Sequence, residues 1–201
     1  MKTRGLKAIQ PKNFVPKTSD GKANAPSPNL LLEEGLPERP NQALAGDITF
    51  IKAGKRWLYL AVVIDLCSRK IVGWSLADSM RSKLVIDALD QALQTRPEMK
   101  GAIFHSDRGS QYGSKAFRNL LGKFGLRQSM SARANPYHNA WTESFIGTLK
   151  SELQRDEERS GEKEIRTELF EYINGYYNTR RKHSSLNYKT PNEYEATIAA
   201  A

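Results

Sequence analysis

The most constraining feature of the sequence is a series of three apolar segments separated by short polar breaks. The first, 43–51, reads ALAGDITFI, and the second, 57–66, reads WLYLAVVIDL and is apolar almost throughout. Nearly continuous apolar strands are typical of the buried centre of a sheet. The third segment, 70–76, reads KIVGWSL, and the break at 52–55 contains Gly54 as a hairpin turn would. The three segments therefore predict an antiparallel meander.

Helical and strand patterns alternate after the meander. Apolar residues at helical spacing fill 84–93, and this pattern ends near Pro97. The remaining predicted elements are, in chain order, a strand at 102–104, a polar turn at 105–111, a helix at 114–124, a strand at 126–130, and helices at 140–156 and 162–177. This alternation predicts an α/β protein with a mixed five-stranded sheet flanked by helices. The order of elements matches the ribonuclease-H-like fold.

The first 40 residues differ in composition from the rest of the chain. They hold six of the nine prolines, and they have few apolar residues apart from 30–32. Such a segment buries too little apolar surface to fold alone, so we predict a basic, proline-rich linker or arm over 1–40 that is extended or disordered. The remainder divides into a core over 41–160 and a C-terminal helical extension over 161–201.

The balance of charge favours a polyanionic partner. Lys and Arg number 31 against 22 Asp and Glu, which gives a formal net charge of +9. Such a surplus suits nucleic acid, because binding releases condensed counterions; a basic surface without a specific partner is the alternative. The single cysteine, Cys67, excludes an intrachain disulfide and a zinc site with several Cys ligands. No apolar run reaches the ~20 residues of a membrane helix, and the N-terminus lacks an apolar secretory segment, so we expect a cytoplasmic protein.

Three acidic residues stand out by their positions. Asp47 lies inside the first apolar segment, Asp107 lies just past the fourth predicted strand, and Glu143 lies in the first turns of a long helix. Carboxylates brought together from separate elements repel each other, and a hard divalent cation such as Mg²⁺ or Mn²⁺ relieves that repulsion. The simpler interpretation of each acid alone is a surface residue or a helix cap. Asp65 also lies in an apolar segment, where its neighbour Arg69 is a possible ion-pair partner.

Five sequence blocks occur in order along roughly residues 25–195: GDITFI, VVIDLCSRKIVGWSL, FHSDRGSQY, NPYHNAWTESFIGTLKSEL and YYNTRRKHSSLNYKTPNEY. Together they resemble the transposases of the insertion-sequence-three family of bacterial mobile elements, whose core is related to retroviral integrases. Asp107 and Glu143 are separated by 35 residues. That is also the spacing between the second and third acids of the family.

The resemblance implies an integrase-like catalytic core within a DNA transposase, a polynucleotidyl transferase. Asp47, Asp107 and Glu143 would bind two Mg²⁺ ions, with Mn²⁺ as a substitute, for metal-dependent DNA nicking and strand transfer. The DNA partners would be the ends of the element and the target. Joining two ends implies at least a dimer on DNA, and in a bacterial cell such a protein would be associated with the nucleoid.

Six further residues are candidates for DNA contacts. At 100° per residue, Glu143 and Lys150 lie about 20° apart beside the apolar arc of the long helix, so we predict that Lys150 contacts a DNA phosphate; an ordinary solvated lysine is the alternative. The others are Asn135, Tyr137, Asn139, Arg180 and Arg181. We expect the first three to belong to a loop that binds the DNA strand end. The alternative is a turn in which Asn139 caps the helix, and the two interpretations are compatible. The C-terminal basic segment either contacts DNA or folds back on the core.

The sequence departs from the family in three respects. Leu44 replaces a tryptophan that family members usually carry, which would loosen the packing under Asp47, and His138 replaces an aspartate of many relatives. We also expect the helix-turn-helix region that usually precedes this core to be absent. The first hypothesis is an active metal-dependent core that nicks and joins DNA. Because of these departures, the second is a truncated, catalytically silent DNA-binding remnant of a transposase. The third is a ribonuclease-H-type hydrolase acting on RNA–DNA hybrids.

Overall fold

The computed structural model of the protein describes residues 26–54, 56–96, 98–131, 140–153 and 161–200. The strands are β1 (Ala43–Ala53), β2 (Arg56–Asp65), β3 (Ile71–Ala77), β4 (Ile103–Ser106) and β5 (Arg127–Met130). They form one sheet in the order β3-β2-β1-β4-β5. The meander β1-β2-β3 is antiparallel, whereas β4 runs parallel to both β1 and β5. The predicted mixed five-stranded sheet is confirmed.

Helices cover both faces of this sheet. They are α1 (Leu30–Glu34), α2 (Ser82–Thr95), α3 (Lys115–Lys123), α4 (Ala140–Leu153), α5 (Glu162–Phe170) and α6 (Pro191–Ala199). A π-helical segment, Glu171–Tyr177, continues α5, and a 3-10 turn forms at Ser184–Leu186. One apolar cluster contains side chains of α4, α5 and the π-helical segment, and the other contains side chains of α2 and α3. In the described part of the chain, no helix has the length and apolar character needed to cross a membrane.

The central strand β2 is buried on both faces. Leu60 and Val62 belong to the cluster on the α4 side, while Ala61 and Val63 belong to the cluster on the α2 side. Side chains alternate between the two faces of a strand. A strand covered on both faces therefore needs the nearly continuous apolar sequence that this segment has.

The close packing of α2 on β3 depends on Gly73. A Cβ atom added at Gly73 would lie 2.1 Å from the carbonyl oxygen of Ala88 and 2.9 Å from the backbone nitrogen of Ala92. Ala88 and Ala92 are themselves small and are almost fully buried. The helix therefore approaches the strand at a distance that only glycine permits.

The boundary of β4 differs from the predicted one. His105 and Ser106 were assigned to a polar turn, but they pair with Ser129 and Met130 of β5 and are fully buried. The Nδ1 atom of His105 lies 2.8 Å from the hydroxyl of Ser129. Their polarity is typical of a turn, yet both residues pair with β5 through the backbone, and the Ser106 hydroxyl donates to the carbonyl of Asp107. Strand β4 therefore extends as far as the residue before Asp107.

Part of the N-terminal arm is helical, which corrects the expectation of an extended or disordered segment for that part. Leu30 and Leu31 of α1 pack against the core on the α4 side, which stabilises a helix of five residues. The arm also runs beside β5, where the backbone N–H of Met130 donates to the carbonyl of Pro28. Arg127 forms a two-pronged ion pair with Glu34, with distances of 2.6 and 2.9 Å.

The C-terminal extension packs on the edge strand β3. The side-chain amide of Asn178 accepts a hydrogen bond from the backbone N–H of Ile71 at 3.0 Å and donates one to the Ile71 carbonyl at 2.9 Å. The next segment leads to α6, which was not predicted. A capping box begins this helix, because the Thr190 hydroxyl accepts from the N–H of Glu193 while the Glu193 carboxylate accepts from the N–H of Thr190.

Asp65 is paired with a different residue from the one suggested by the sequence. Its carboxylate lies 3.3 Å from the guanidinium of Arg96, which also bonds to Glu195 of α6. Arg69 instead places its guanidinium 5.2 Å from the centre of the Trp141 ring. The buried Asp65 therefore belongs to an ionic network that joins β2, the end of α2 and α6.

Candidate active site

The three predicted acids lie on three elements that pack together. Asp47 is in the middle of β1, Asp107 directly follows β4, and Glu143 lies in the first turn of α4. Strands β1 and β4 are parallel neighbours, and α4 packs against β1. Burial, together with the negative charges of Asp107 and Glu143, raises the pKa of Asp47 to about 7. The acids are therefore close enough to interact electrostatically.

Asp47 occupies a partly buried position in an aromatic environment. Its Oδ1 atom accepts a hydrogen bond from the backbone N–H of Ile48 at 2.7 Å. The preceding residue, Gly46, has no room for a side chain, since an added Cβ would lie 2.6 Å from Cζ of Phe104. Tyr112 also lies beside Gly46, since the same added Cβ would be 3.3 Å from its Cε1 atom. Burial, followed by the charges of Asp47 and Asp107, raises the pKa of the Tyr112 hydroxyl.

Asp107 is positioned by the turn that follows β4. Its Oδ1 atom accepts a hydrogen bond from the backbone N–H of Gly109 at 2.9 Å. A Cβ atom at Gly109 would lie 3.0 Å from that same oxygen, so glycine permits the turn to close around the carboxylate. Next to it, Arg108 donates from Nε to the carbonyl of Ser131 at 2.9 Å, which ties the turn to the end of β5.

Helix α4 combines a buried face with a polar one, as its sequence predicts. Phe145 and Leu149 are almost fully buried, whereas Glu143 is exposed. Lys150 is partly buried, and its Nζ atom lies 3.9 Å from the ring centroid of Phe50. Burial lowers the pKa of Lys150, while the charge of Asp47 acts in the opposite direction. The ammonium group and the Asp47 carboxylate therefore belong to one site.

The chemistry of the three acids fits a hard divalent cation. Among the residues that the structure describes, no three or more His, Cys, Asp and Glu side chains are arranged closely enough to hold a metal ion. The acids nevertheless offer only oxygen donors, which Mg²⁺ and Mn²⁺ prefer. The raised pKa of Asp47 reflects burial and an excess of negative charge. A cation bound between the carboxylates would relieve that excess and favour their ionised forms.

The other predicted DNA contacts are only partly described. Arg180 is exposed, and Arg181 is partly buried with its Nε atom 3.6 Å from a carboxylate oxygen of Glu152. Three candidates lie outside the described residues, as does His138: Asn135, Tyr137 and Asn139. The C-terminal basic segment does fold back on the core, which was one of its two predicted arrangements.

Some features of the site were missed or misjudged from the sequence. Tyr112 was not singled out, although it stands in the same sequence block as Asp107, and its proximity to Asp47 depends on the pairing of β1 with β4. The contact between Phe50 and Lys150 was also missed, because the two residues are far apart in sequence. Leu44, where family members usually carry a tryptophan, is fully buried in the cluster on the α2 side.

Comparisons with known proteins identify the family and the fold of this chain. Residues 37–136 match the family described as "Integrase core domain", and residues 124–191 match a second family of the same description. Among solved structures, the HTLV-2 integrase catalytic core domain in complex with magnesium (dimeric form) is similar, with a TM-score of 0.57 and 20% sequence identity. The similarity covers 78% of this chain and 97% of that one. The ribonuclease-H-like integrase-core fold predicted from the sequence is confirmed.

Two curated relatives are much more similar in sequence. The transposase for insertion sequence element IS904 of Lactococcus lactis subsp. lactis (strain IL1403) is 44% identical over 173 residues, which are 86% of this chain. Transposase InsF for insertion sequence IS3A of Escherichia coli (strain K12) is 39% identical over 195 residues, which are 97% of this chain. In both cases the match spans 68% of the relative's length. The chain therefore belongs to the integrase-core transposases of the insertion-sequence-three family.

Proposed function

We propose that this chain is the catalytic core of a DNA transposase, a polynucleotidyl transferase that nicks a DNA strand and transfers the freed end to a second site. Asp47, Asp107 and Glu143 are the proposed ligands of two Mg²⁺ ions, for which Mn²⁺ can substitute. The observation that carries this proposal is the placement of the acids: Asp47 lies in β1, Asp107 follows the parallel neighbour β4, and Glu143 lies in α4, which packs against β1. The negative charges of Asp107 and Glu143 also raise the pKa of Asp47. Three acids at the positions of the family's motif, on three separate elements, thus act on one another.

The chemistry at phosphorus needs positioning and compensation of charge. Metal ions bound by the three acids would supply activation of the attacking oxygen and stabilisation of the leaving oxygen. Gly109 holds the carboxylate of Asp107 in place through its N–H, and the Ile48 N–H does the same for Asp47. Lys150 brings a positive charge to the same site, where it can contact a DNA phosphate next to the reacting one.

The proposed partners are the DNA ends of the element and a target DNA. The net charge of +9 favours binding to such a polyanion. Arg180 is exposed, so it can reach a phosphate. Lys150 is partly buried, but it lies at the acidic site, where a phosphate of the reacting strand would bind. Because transfer joins two ends to one target, we propose that the active form on DNA contains at least two copies of the chain.

The proposal is tested by nicking and strand transfer on a labelled DNA end with Mg²⁺ or Mn²⁺. We expect activity from the parent chain and none above background from Glu143→Gln or Asp107→Asn, which keep the size of the side chain but remove its charge. Asp87→Asn is the matched control, because Asp87 is an acid of α2 that pairs with Lys83 at 2.8 Å, outside the site. Equal activity in the parent and Glu143→Gln would refute the assignment of the acids.

A second candidate is a DNA-binding remnant without catalytic activity. It is favoured by the net charge of +9, which supports binding to DNA whether or not the acids act in catalysis. DNA binding that survives Asp107→Asn, combined with no cleavage by the parent in either metal, would support this candidate. A ribonuclease-H-type hydrolase is the remaining alternative, and cleavage of an RNA–DNA hybrid in preference to DNA would favour it.

A further inference from the structure

A polar pocket lies between α4, the helix that carries Glu143, and the loop that precedes α6. Its volume is about 400 Å³, within the range of pockets that hold small organic groups. Ser144 and Thr148 of α4 line one wall, and Arg181, His183 and Tyr188 line the other. Ser144 directly follows Glu143 in sequence. The same helix therefore carries one of the proposed metal ligands and one wall of the pocket.

Tyr188 is held at the mouth of this pocket in an unusual backbone conformation. Its side chain is 74% exposed, and its φ of 58° lies in the left-handed region, as does the φ of 54° at Asn187. Two backbone hydrogen bonds hold the loop in place. The N–H of Tyr188 donates to the carbonyl of His183 at 2.9 Å, and the N–H of His183 donates to the carbonyl of Lys189 at 3.1 Å. A bulky residue in this region is strained, and such strain is typical of functional sites.

The charges around the pocket are largely neutralised. Arg181 is paired with Glu152 at 3.6 Å, and Lys182 is paired with Glu193 at 2.7 Å. Burial, followed by the nearby cations, lowers the pKa of His183 to about 4, so its imidazole is neutral at pH 7. The pocket therefore offers an aromatic ring, hydroxyl groups and a neutral imidazole, but little net charge. These features suit a flat, uncharged, polar group better than a bare phosphate.

The floor and the edge of the pocket are well ordered by packing. The rings of Phe145 and Tyr177 meet edge to face with centroids 4.7 Å apart, and Tyr177 meets the ring of His183 in the same way at 5.0 Å. The Thr148 hydroxyl donates to the carbonyl of Ser144 at 2.9 Å, which leaves the hydroxyl oxygen able to accept a hydrogen bond. The walls are therefore fixed before any ligand arrives.

We propose that this pocket binds an unpaired nucleobase of the DNA strand that lies at the candidate active site, with Tyr188 stacking on the base. This inference rests on the proposed function and adds a binding site for one unstacked base near the reacting strand end. Stacking on an aromatic side chain tolerates any base, since every base has a π-face. The hydroxyls of α4 and the imidazole of His183 would contact the polar edge of the base.

The test uses DNA with a short single-stranded overhang that carries a fluorescent adenine analogue, in buffer without divalent cations, so that no cleavage occurs. We expect the parent chain to quench the analogue on binding. Tyr188→Ala should abolish the quenching and weaken binding about 5- to 150-fold, the equivalent of ~1–3 kcal/mol for one stacked base. Tyr188→Phe should retain both properties, because it keeps the ring. Phe170→Ala is the control, since Phe170 is also exposed but lies outside the pocket.

A second variant separates loss of the ring from loss of the fold. Tyr188→Gly relieves the left-handed strain, so it should melt at a temperature no lower than the parent and still fail to quench the analogue. Equal quenching and affinity in the parent and Tyr188→Ala would overturn the inference, even if nicking with Mg²⁺ persisted and the proposed function stood. Quenching that depends on Tyr188, in a chain that nicks no DNA, would instead retain the pocket and refute the proposed chemistry.

Discussion

The ammonium group of Lys150 lies 3.9 Å from the ring centroid of Phe50 and interacts electrostatically with Asp47 on the same strand. A cation over an aromatic face gains about 0.5–2 kcal/mol, depending on its exposure to solvent. The ring thus helps to hold the charge of Lys150 at the site, where burial alone would disfavour it. This placement brings the cation to the site where we propose that a DNA phosphate binds.

The role of Lys150 in DNA binding is testable by removing its charge. Lys150→Gln should weaken binding to DNA and reduce the slope of log affinity against log salt concentration by about 1. Lys150→Arg should keep most of the slope. The measurement is DNA affinity over a series of salt concentrations, with Lys83→Gln as the control, since Lys83 is an exposed lysine of α2. An unchanged slope for Lys150→Gln would show that this lysine contacts no phosphate.

The pKa of Asp47 makes the stability of the metal-free protein depend on pH. Its ordinary value is 3.8, and burial and the neighbouring acids raise it to about 7 in the folded chain. The folded state therefore binds the proton more tightly, and the resulting stabilisation is lost as the pH rises from about 4 to about 7. Without divalent cations, Asp47→Asn should melt at a higher temperature than the parent at about pH 8. Each kcal/mol gained in the free energy of unfolding should raise the melting temperature by ~2–4 °C.

The pH dependence itself distinguishes this effect from a general gain in stability. The difference in melting temperature between Asp47→Asn and the parent should shrink at about pH 5, where Asp47 is protonated in the folded state. Asp78→Asn is a control at an exposed acid. The assigned cause would be wrong if the difference were the same at both pH values, or if Mg²⁺ failed to stabilise the parent more than the variant.

The network around Asp65 should be important for stability. Asp65 is fully buried and Arg96 nearly so, and their charged groups lie 3.3 Å apart. Arg96→Met would leave a buried carboxylate without its cation, which typically costs about 3–5 kcal/mol of the free energy of unfolding. Chemical denaturation measures this loss. Lys83→Met, which breaks an exposed ion pair on α2, should change the free energy by less than ~1 kcal/mol, and equal effects of the two changes would contradict the argument.

Substitution by alanine should change the stability of the protein in opposite directions at two glycines. Gly73→Ala should destabilise the protein by ~1–3 kcal/mol or more, because the added Cβ would meet the backbone of α2 at 2.1 Å. Gly122→Ala should stabilise it by about 0.5–1 kcal/mol, since Gly122 lies within α3 and no atom stands within 4 Å of an added Cβ. Denaturation of both variants checks the signs. A stabilising Gly73→Ala would mean that α2 moves freely on β3.

Local patterns in the sequence predicted most of the fold. The apolar run of β2 and the helical spacing of Leu84 and Leu89 are consequences of burial on a regular element, so each is visible within a short window. The α1 helix was missed for a physical reason, because it has only five residues and depends on the packing of Leu30 and Leu31 against residues distant in the chain. The α6 helix does carry a local signal, the capping box of Thr190 and Glu193, which the sequence interpretation overlooked.

The acids of the candidate site stand out by their positions and by the family resemblance, whereas their surroundings depend on tertiary structure. Asp47 and Asp65 both lie in apolar strands and look alike in sequence. Only the folded chain separates them, since Asp65 is paired with Arg96 while Asp47 faces the charges of Asp107 and Glu143. Pairing across 31 residues leaves no signal in a local window, so the neighbour Arg69 was wrongly suggested as the partner of Asp65.

The two hydrogen bonds between Asn178 and Ile71 have a consequence for how copies of this chain meet. Strand β3 is an edge of the sheet, and open edges can recruit strands from other molecules. The Asn178 side chain presents one amide to Ile71 as a neighbouring strand would, so it acts as a single peptide unit of an additional strand. The C-terminal extension thereby occupies part of this edge, which makes edge-to-edge pairing with another strand less favourable there.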